Sequence, residues 1–576
     1  MKNNILKYIA FGFLLGTTII SCNDDELAEA PRLFRPVASM IASQNNIILS
    51  WDLISDATNY DIEIYKLEGD ATTITEGQTP YATATVETSP YTLNNAEWDA
   101  RYMARIKSYN SSKSSKYYVT SELTVTYPTN LEKVSRVVDN AAMITWTQGS
   151  TAPYTMLCAI NKATGDTLKV SLTEEEYAAG QKVISPLEAN TEYKVVAFSG
   201  EEQTSSTYQG KVETKTKESE NFNEKYGEGK WIDMRAESID EDVLKTNMER
   251  FSAIDDLTVI GQGGYKYKIN NEMVFSKSIT FVTGLSLEGN AIFEATGGMG
   301  LAKGVTIEKL KFENIDIISD KARTTPIAET TDKGFGGRQV ININGTGSTI
   351  KEVIFKNCSI TGFRAVVRGQ TATDNINKVN FSGCTINGIG DQGIVTIADK
   401  GGDFQEVTFD NCTVINVVLG LDVRKTATGQ FTLNVKNSTF CYAPIESTAN
   451  ANVPLFRFNT NATTMTVENT IFGPSLEGNG GAADKVTTYT AGAKGSILMN
   501  ASACTPAVSN SYKTSWDYTD LNGKTYPIEG LEEAGAKETS LFKSPATGDF
   551  SIILGSFAGA KTAGATIWRM EFPMIW

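Results

Sequence analysis

Histidine is absent from all 576 residues. That removes the side chain that most often serves as general base near neutral pH and most often ligates zinc. Positive charge is scarce: 52 Lys and Arg against 67 Asp and Glu leave a net charge of −15. Such a balance argues against a nucleic-acid partner and against a basic surface for anionic lipid. The seven cysteines are few for this length, and Cys158, Cys441 and Cys504 follow no metal-binding spacing. The second half has no sustained 3.6-residue apolar period, which excludes helical repeats. The apolar run at residues 9–20 is too short to span a membrane stably.

What is present is a recurring phrase. Phe355-Lys356-Asn357-Cys358-Ser359-Ile360 returns as Phe381-Ser382-Gly383-Cys384-Thr385-Ile386 and as Phe409-Asp410-Asn411-Cys412-Thr413-Val414. Hydroxyls replace the sulfur in copies centred on Asn437-Ser438 and Asn469-Thr470, and an earlier relative is Phe312-Glu313-Asn314. The third positions (314, 357, 383, 411, 437, 469) lie 43, 26, 28, 26 and 32 residues apart, a spacing that marks a repeat architecture. Apolar residues flank a turn-former, so a short strand enters, bends at Asn or Gly and leaves as another strand. One such bend per period fits one coil of a right-handed parallel β-helix, with equivalent residues stacked about 4.8 Å apart. Asn then stacks on Asn as an amide ladder, and Cys358, Cys384 and Cys412 form an interior ladder of small side chains. Parallel stacked Cβ vectors suit a disulfide poorly, so free buried thiols are expected.

Such a length implies more than one domain. Strands around Trp51 and residues 59–65 alternate in polarity, and a second such segment carries Trp146 and the run Leu187 to Tyr193. A strand Trp in both segments, and a Leu-x5-Tyr corner in the second alone, resemble the fibronectin type III sandwich. Both tryptophans are read as core rather than as sugar platforms. The expected organisation is a leader at 1–22, an acidic linker at 23–36, sandwiches at 37–127 and 128–216, a polar linker at 217–230 and the β-helix at 231–576. Ser238 to Glu241 reads as a capping box, and Leu244, Met248 and Phe251 fall on one face of a helix behind it that would block the open end. Coils are expected from about Leu257 to about Ile497, with 321–337 as an inserted loop.

Lys2 and Lys7 precede the apolar run, as in a secretory leader. Ile19-Ile20-Ser21-Cys22 resembles a bacterial lipobox, which implies lipidation of Cys22 and an outer-membrane anchor. The following Asn23-Asp24-Asp25-Glu26 resembles the surface-export signal of Bacteroidetes-type lipoproteins. Near the end, Phe542-Lys543-Ser544-Pro545 and Gly548-Asp549-Phe550, followed by small residues, resemble the closing segment of pectate-lyase-like β-helix proteins from polysaccharide-utilisation systems. There this segment lies against the last coil. The resemblance implies a cell-surface setting, with polysaccharide and other surface glycan-utilisation proteins as partners. It does not choose a reaction.

A second strand recurs between the Asn bends. With Ile341, Ile343, Val367, Val395, Ile397, Leu421, Val423, Phe456 and Phe458 pointing inward, period two sends out Asn342, Asn344, Arg364, Arg368, Thr396, Asp422, Arg424 and Arg457. Arginine forks bind carboxylates and sulfates in pairs of bonds, as an acidic polysaccharide would require. The alternative is that these arginines are solvated and paired with Asp391, Asp399 and Asp422 of neighbouring coils. The first expectation is a non-catalytic binder of a uronate-containing glycan that needs no cofactor. A second is a polysaccharide lyase in which Arg368 and Arg424 act as base and neutraliser, with calcium as a possible aid. Asp391, Asp399 and Asp422 are not a tight acidic set for calcium or for hydrolysis. A third is an adhesive or structural stalk.

Overall fold

A computed structural model describes residues 32–149, 152–204, 206–237, 241–321, 337–398, 402–424, 429–446, 454–458, 462–479, 488–491, 504–515 and 528–571. Cys22 and the leader, Ser238 to Asp240 of the capping box, Asp399 and most of the 321–337 insertion lie outside these residues. Among the described residues no helix is long and apolar enough to cross a membrane.

The first sandwich packs a sheet of Ala38–Ser43, Asn46–Trp51 and Tyr91–Leu93 against one built on Asn59–Leu67 and Ala100–Tyr109. The second repeats the plan, with Ala142–Thr145 central in one sheet and Met156–Asn161 and Glu192–Phe198 central in the other. Alternation puts Tyr60, Ile62 and Ile64 inside, and Trp51 and Trp146 are core residues. The backbone N–H of Glu188 donates to the Tyr193 hydroxyl at 2.8 Å, making the corner expected in the second sandwich. The first sandwich has the same corner, with the N–H of Glu97 donating to the Tyr102 hydroxyl at 2.9 Å. The sequence pattern hid it because Ala96 stands where the second copy has Leu187.

The segment at 217–230 is a packed joint rather than a free linker. A short helix, Phe222–Tyr226, buries Phe222 against Ile260 and Val282 of the β-helix. Tyr127 and Tyr208 meet edge to face at the joint between the sandwiches, centroids 5.3 Å apart.

All paired strands of the two long β-helix sheets are parallel. The first sheet runs from Trp231–Asp233 to Ala507–Ser509, so coils start before Leu257 and continue past Ile497. The late coil carries a further copy of the phrase, Val508-Ser509-Asn510-Ser511, whose sulfur and aromatic positions have drifted to Ser and Val. Phe312, Phe355, Phe381 and Phe409 are in register, and their rings stack with centroids 5.1 Å apart. Burial is worth about 1.5–3 kcal/mol for each such ring. This stack is the spine of the domain.

Every bend residue in the phrase is left-handed: Asn314, Asn357, Asn411, Asn437, Asn469 and Asn510 have φ between 43° and 55°, and Gly383 has φ 65°. Only Gly and Asn or Asp accept that region readily, which is why these residue types recur. The amides form the expected ladder: Asn510 donates to Asn469 at 2.7 Å, Asn469 to Asn437 at 3.2 Å and Asn357 to Asn314 at 3.2 Å. Cys358, Cys384 and Cys412 are buried free thiols. Burial, the largest influence on Cys358 and Cys384, pushes both thiols well above the usual range.

Two short helices, Val243–Thr246 and Met248–Ala253, cover the start of the coils with Leu244 and Phe251 buried. The closing segment does more than abut the last coil. Phe542–Ser544 and Asp549–Ile552 form a hairpin, and the chain then runs back along the second sheet. Thr566 donates its backbone N–H to Asn411 Oδ1 at 2.7 Å, and Trp568 Nε1 donates to Thr413 Oγ1 at 2.7 Å. Small residues are required there: a Cβ on Gly559 would stand 2.6 Å from the Tyr512 ring, and one on Gly564 2.9 Å from Thr439 Oγ1.

Candidate functional site

The second strand of each coil forms a third wall. Ile341, Val367, Val395, Leu421 and Phe456 are paired in register and buried, and Ile343, Ile397 and Val423 are also buried. The Phe458 side chain lies outside the described residues. One residue along, Asn342, Arg368, Thr396, Asp422 and Arg457 are paired in the same register. The outward row therefore exists, and period two built it. Asn344 is exposed just past the end of its strand, Gln339–Ile343.

Burial divides this row. Thr396 is 6% exposed and Asp422 4% exposed, so neither offers a free polar group at the surface. Arg424 clasps Asp422 with two bonds, Nε to Oδ1 at 2.8 Å and a terminal nitrogen to Oδ2 at 3.1 Å. Arg457 stands 3.7 Å from the same carboxylate. A buried carboxylate must be paired, and two arginines from neighbouring rungs meet that need.

Arg364 is tied in the same manner to Asp391, at 2.8 and 3.2 Å. The register explains how. Phe363 pairs with Ile389 but Ala365 pairs with Gly393, so the later coil bulges by two residues at 390–392. Bulges re-aim side chains. Here the bulge brings Asp391 to Arg364, and Gln392 accepts a bond from Gln339 at 3.2 Å. The ion-paired alternative thus holds for three of the four arginines, through Asp391 and Asp422.

Arg368 differs. It lies between Asn342 and Thr396 on the ladder, is half-buried, and has no hydrogen bond or ion pair among the described residues. Burial, followed by repulsion from Arg364, lowers its pKa, with Asp391 opposing. Beside it Asn342 accepts a bond from Gln370 at 2.6 Å. Gln370, Gln339 and Gln392 extend the polar lining and were missed because they stand just past a strand end, at a strand start and in a bulge. Asp391 and Asp422 belong to separate arginine pairs, and among the described residues no three Cys, Asp or Glu are gathered for a metal ion.

No protein-family description matches this chain, and no curated protein does. Among solved structures, the two fibronectin type-III domain segment from chicken tenascin is similar at 12% identity, covering 32% of this chain and 99% of its own, with a TM-score of 0.16. The chicken CNTN1 FN1–FN3 domains are similar at 16% identity, covering 33% and 67%, with a TM-score of 0.14. These likenesses concern fold alone.

Proposed function

We propose that this chain is a surface-displayed binder of acidic polysaccharide, with Arg368 as the cation that meets the glycan carboxylate. Arg368, which has no ion pair among the described residues, carries the reading. Arg364, Arg424 and Arg457 each have an internal aspartate, whereas Arg368 has a guanidinium fork to spare beside the amide of Asn342. The two sandwiches serve as a spacer, and lipidation of Cys22 would tether it to the outer membrane, facing outward among other glycan-utilisation proteins. Titration of the soluble protein with uronic-acid polysaccharides tests the reading. Arg368→Ala is expected to weaken binding about tenfold or more, the loss of one charge-assisted bond pair, with its melting temperature unchanged. Equal binding by wild type and Arg368→Ala would overturn it.

A lyase reading rests on the position of Arg368, half-buried on the wall beside Asn342 with no ion pair among the described residues, where a β-elimination base would stand. Arg424 is clasped by Asp422 and is poorly placed to neutralise substrate. Near-ultraviolet absorbance of unsaturated uronate ends, rising with wild type and flat with Arg368→Ala, would favour the enzyme over the binder.

A further inference from the structure

The amide ladder has a covered end and an open end. At the late coils the closing segment bonds to it: Thr566 gives its N–H and its hydroxyl to Asn411 Oδ1 at 2.7 and 2.8 Å, and Arg569 donates to Asn437 Oδ1 at 2.9 Å. The chain itself therefore shows that this row of amides takes hydroxyl and N–H partners from outside the coils. At the early end the row stops at Asn314, because the preceding coil carries Thr283 in register. Asn314 Oδ1 accepts from Asn357, but its Nδ2 has no acceptor among the described residues.

That amide opens into a cleft of about 370 Å³, between the joint helix Phe222–Tyr226 and the bend after the strand Ile279–Thr283. Leu285, 40% exposed, and Tyr226 supply apolar walls, while Glu220, Glu313 and Asn290 supply polar groups. Both carboxylates are already paired with lysines: Lys225 on Glu220 at 2.9 Å, and Lys311 and Lys356 on Glu313 at 2.7 and 2.8 Å. Among the described residues the cleft therefore presents no unpaired charge to attract an ion. It offers an unused amide donor, carboxylate acceptors with spare lone pairs and a modest apolar wall, at a size suited to a small ligand.

We infer that this cleft binds a neutral saccharide unit, whose hydroxyls meet Asn314 and the carboxylates and whose ring lies on Leu285 and Tyr226. It is a second site, independent of the arginine row. Phe222 stacks on Tyr226 and meets Trp231, with centroids 6.0 and 5.1 Å apart, so tryptophan fluorescence gives a local signal.

The test titrates the soluble protein with neutral gluco-, galacto-, manno- and xylo-oligosaccharides at millimolar concentration. Asn314→Asp keeps the left-handed bend and the oxygen that accepts from Asn357, but loses the donor. At least one sugar is expected to give a saturable change, and Asn314→Asp to bind it about tenfold more weakly. Leu285→Ala, at a position 40% exposed, is expected to weaken it about threefold. Arg368→Ala is expected to bind it as wild type does. Silence across the whole panel, or unchanged binding by both cleft variants, would overturn the inference.

Discussion

Arg235 of the first β-helix coil grips Asp139 of the second sandwich with two bonds, each 2.9 Å, and both side chains are almost fully buried. Asp233 holds the other edge of the guanidinium at 2.9 Å, Phe222 lies under it at 5.4 Å, and Asn140 donates to Gln262 at 2.8 Å alongside. The sandwich is thereby fixed to the coils. Arg235→Met, which strands a buried carboxylate, is expected to cost about 3–5 kcal/mol and to separate the unfolding of the sandwiches from that of the coils. Calorimetry would read the split. Arg235→Met with Asp139→Leu should recover most of the loss, since the buried carboxylate is then removed too and Asp233, left without its arginine, is partly exposed.

Gly383 interrupts the ladder of Asn bends. A Cβ there would stand 2.4 Å from Asn357 Oδ1, and its φ is 65°. Gly383→Ala is expected to lose about 1–3 kcal/mol. Gly383→Asn should lose less, because Asn tolerates the bend and continues the amide row once the Asn357 side chain turns aside. Urea unfolding of the two variants gives the order.

Asp422 separates structure from binding on the third wall. Asp422→Asn keeps the shape but removes the charge that holds Arg424 and Arg457. Stability is expected to fall by about 1.5–3 kcal/mol. Affinity for acidic polymer should rise, since the Arg457 guanidinium loses the carboxylate it stands beside. A thermal melt and a glycan titration on one preparation check both halves.

The first sandwich has its own pH dependence. Burial pulls the Glu63 carboxyl upward, but bonds from Tyr65, Arg105 and Tyr117 outweigh it and hold the group below the usual carboxylate range. Tyr65, by burial and by its bond to Glu63, is pushed up to about 12. A carboxyl whose folded pKa is depressed contributes stability above its unfolded value, and that contribution disappears as pH falls through the folded one. Wild type should therefore lose stability below about pH 4.5 more steeply than Glu63→Gln. Melting curves between neutral pH and about pH 3 test this, and parallel curves would refute it.

The repeating bends, the interior thiols, the two sandwiches and the register of the outward row were all legible in the chain, because each depends on local rules. A left-handed bend selects Asn or Gly, period two alternates faces, and equal spacing stacks equal residues. The corner at Tyr102 and the late coil at Asn510 were harder to see, since Ala96, Val508 and Ser511 had drifted from the type while the backbone kept its geometry.

The sequence by itself determined which residues share the third wall: Asn342, Arg368, Thr396, Asp422 and Arg457 follow from the strand period and the coil length. Only the tertiary structure decided which of them are free. A bulge of two residues brings Asp391 to Arg364, Asp422 sinks between Arg424 and Arg457, and Arg368 has no carboxylate partner among the described residues. Alternation sets the side of the sheet on which a side chain stands. Its pairing depends on distances between coils that are remote in sequence, and only folding brings those together.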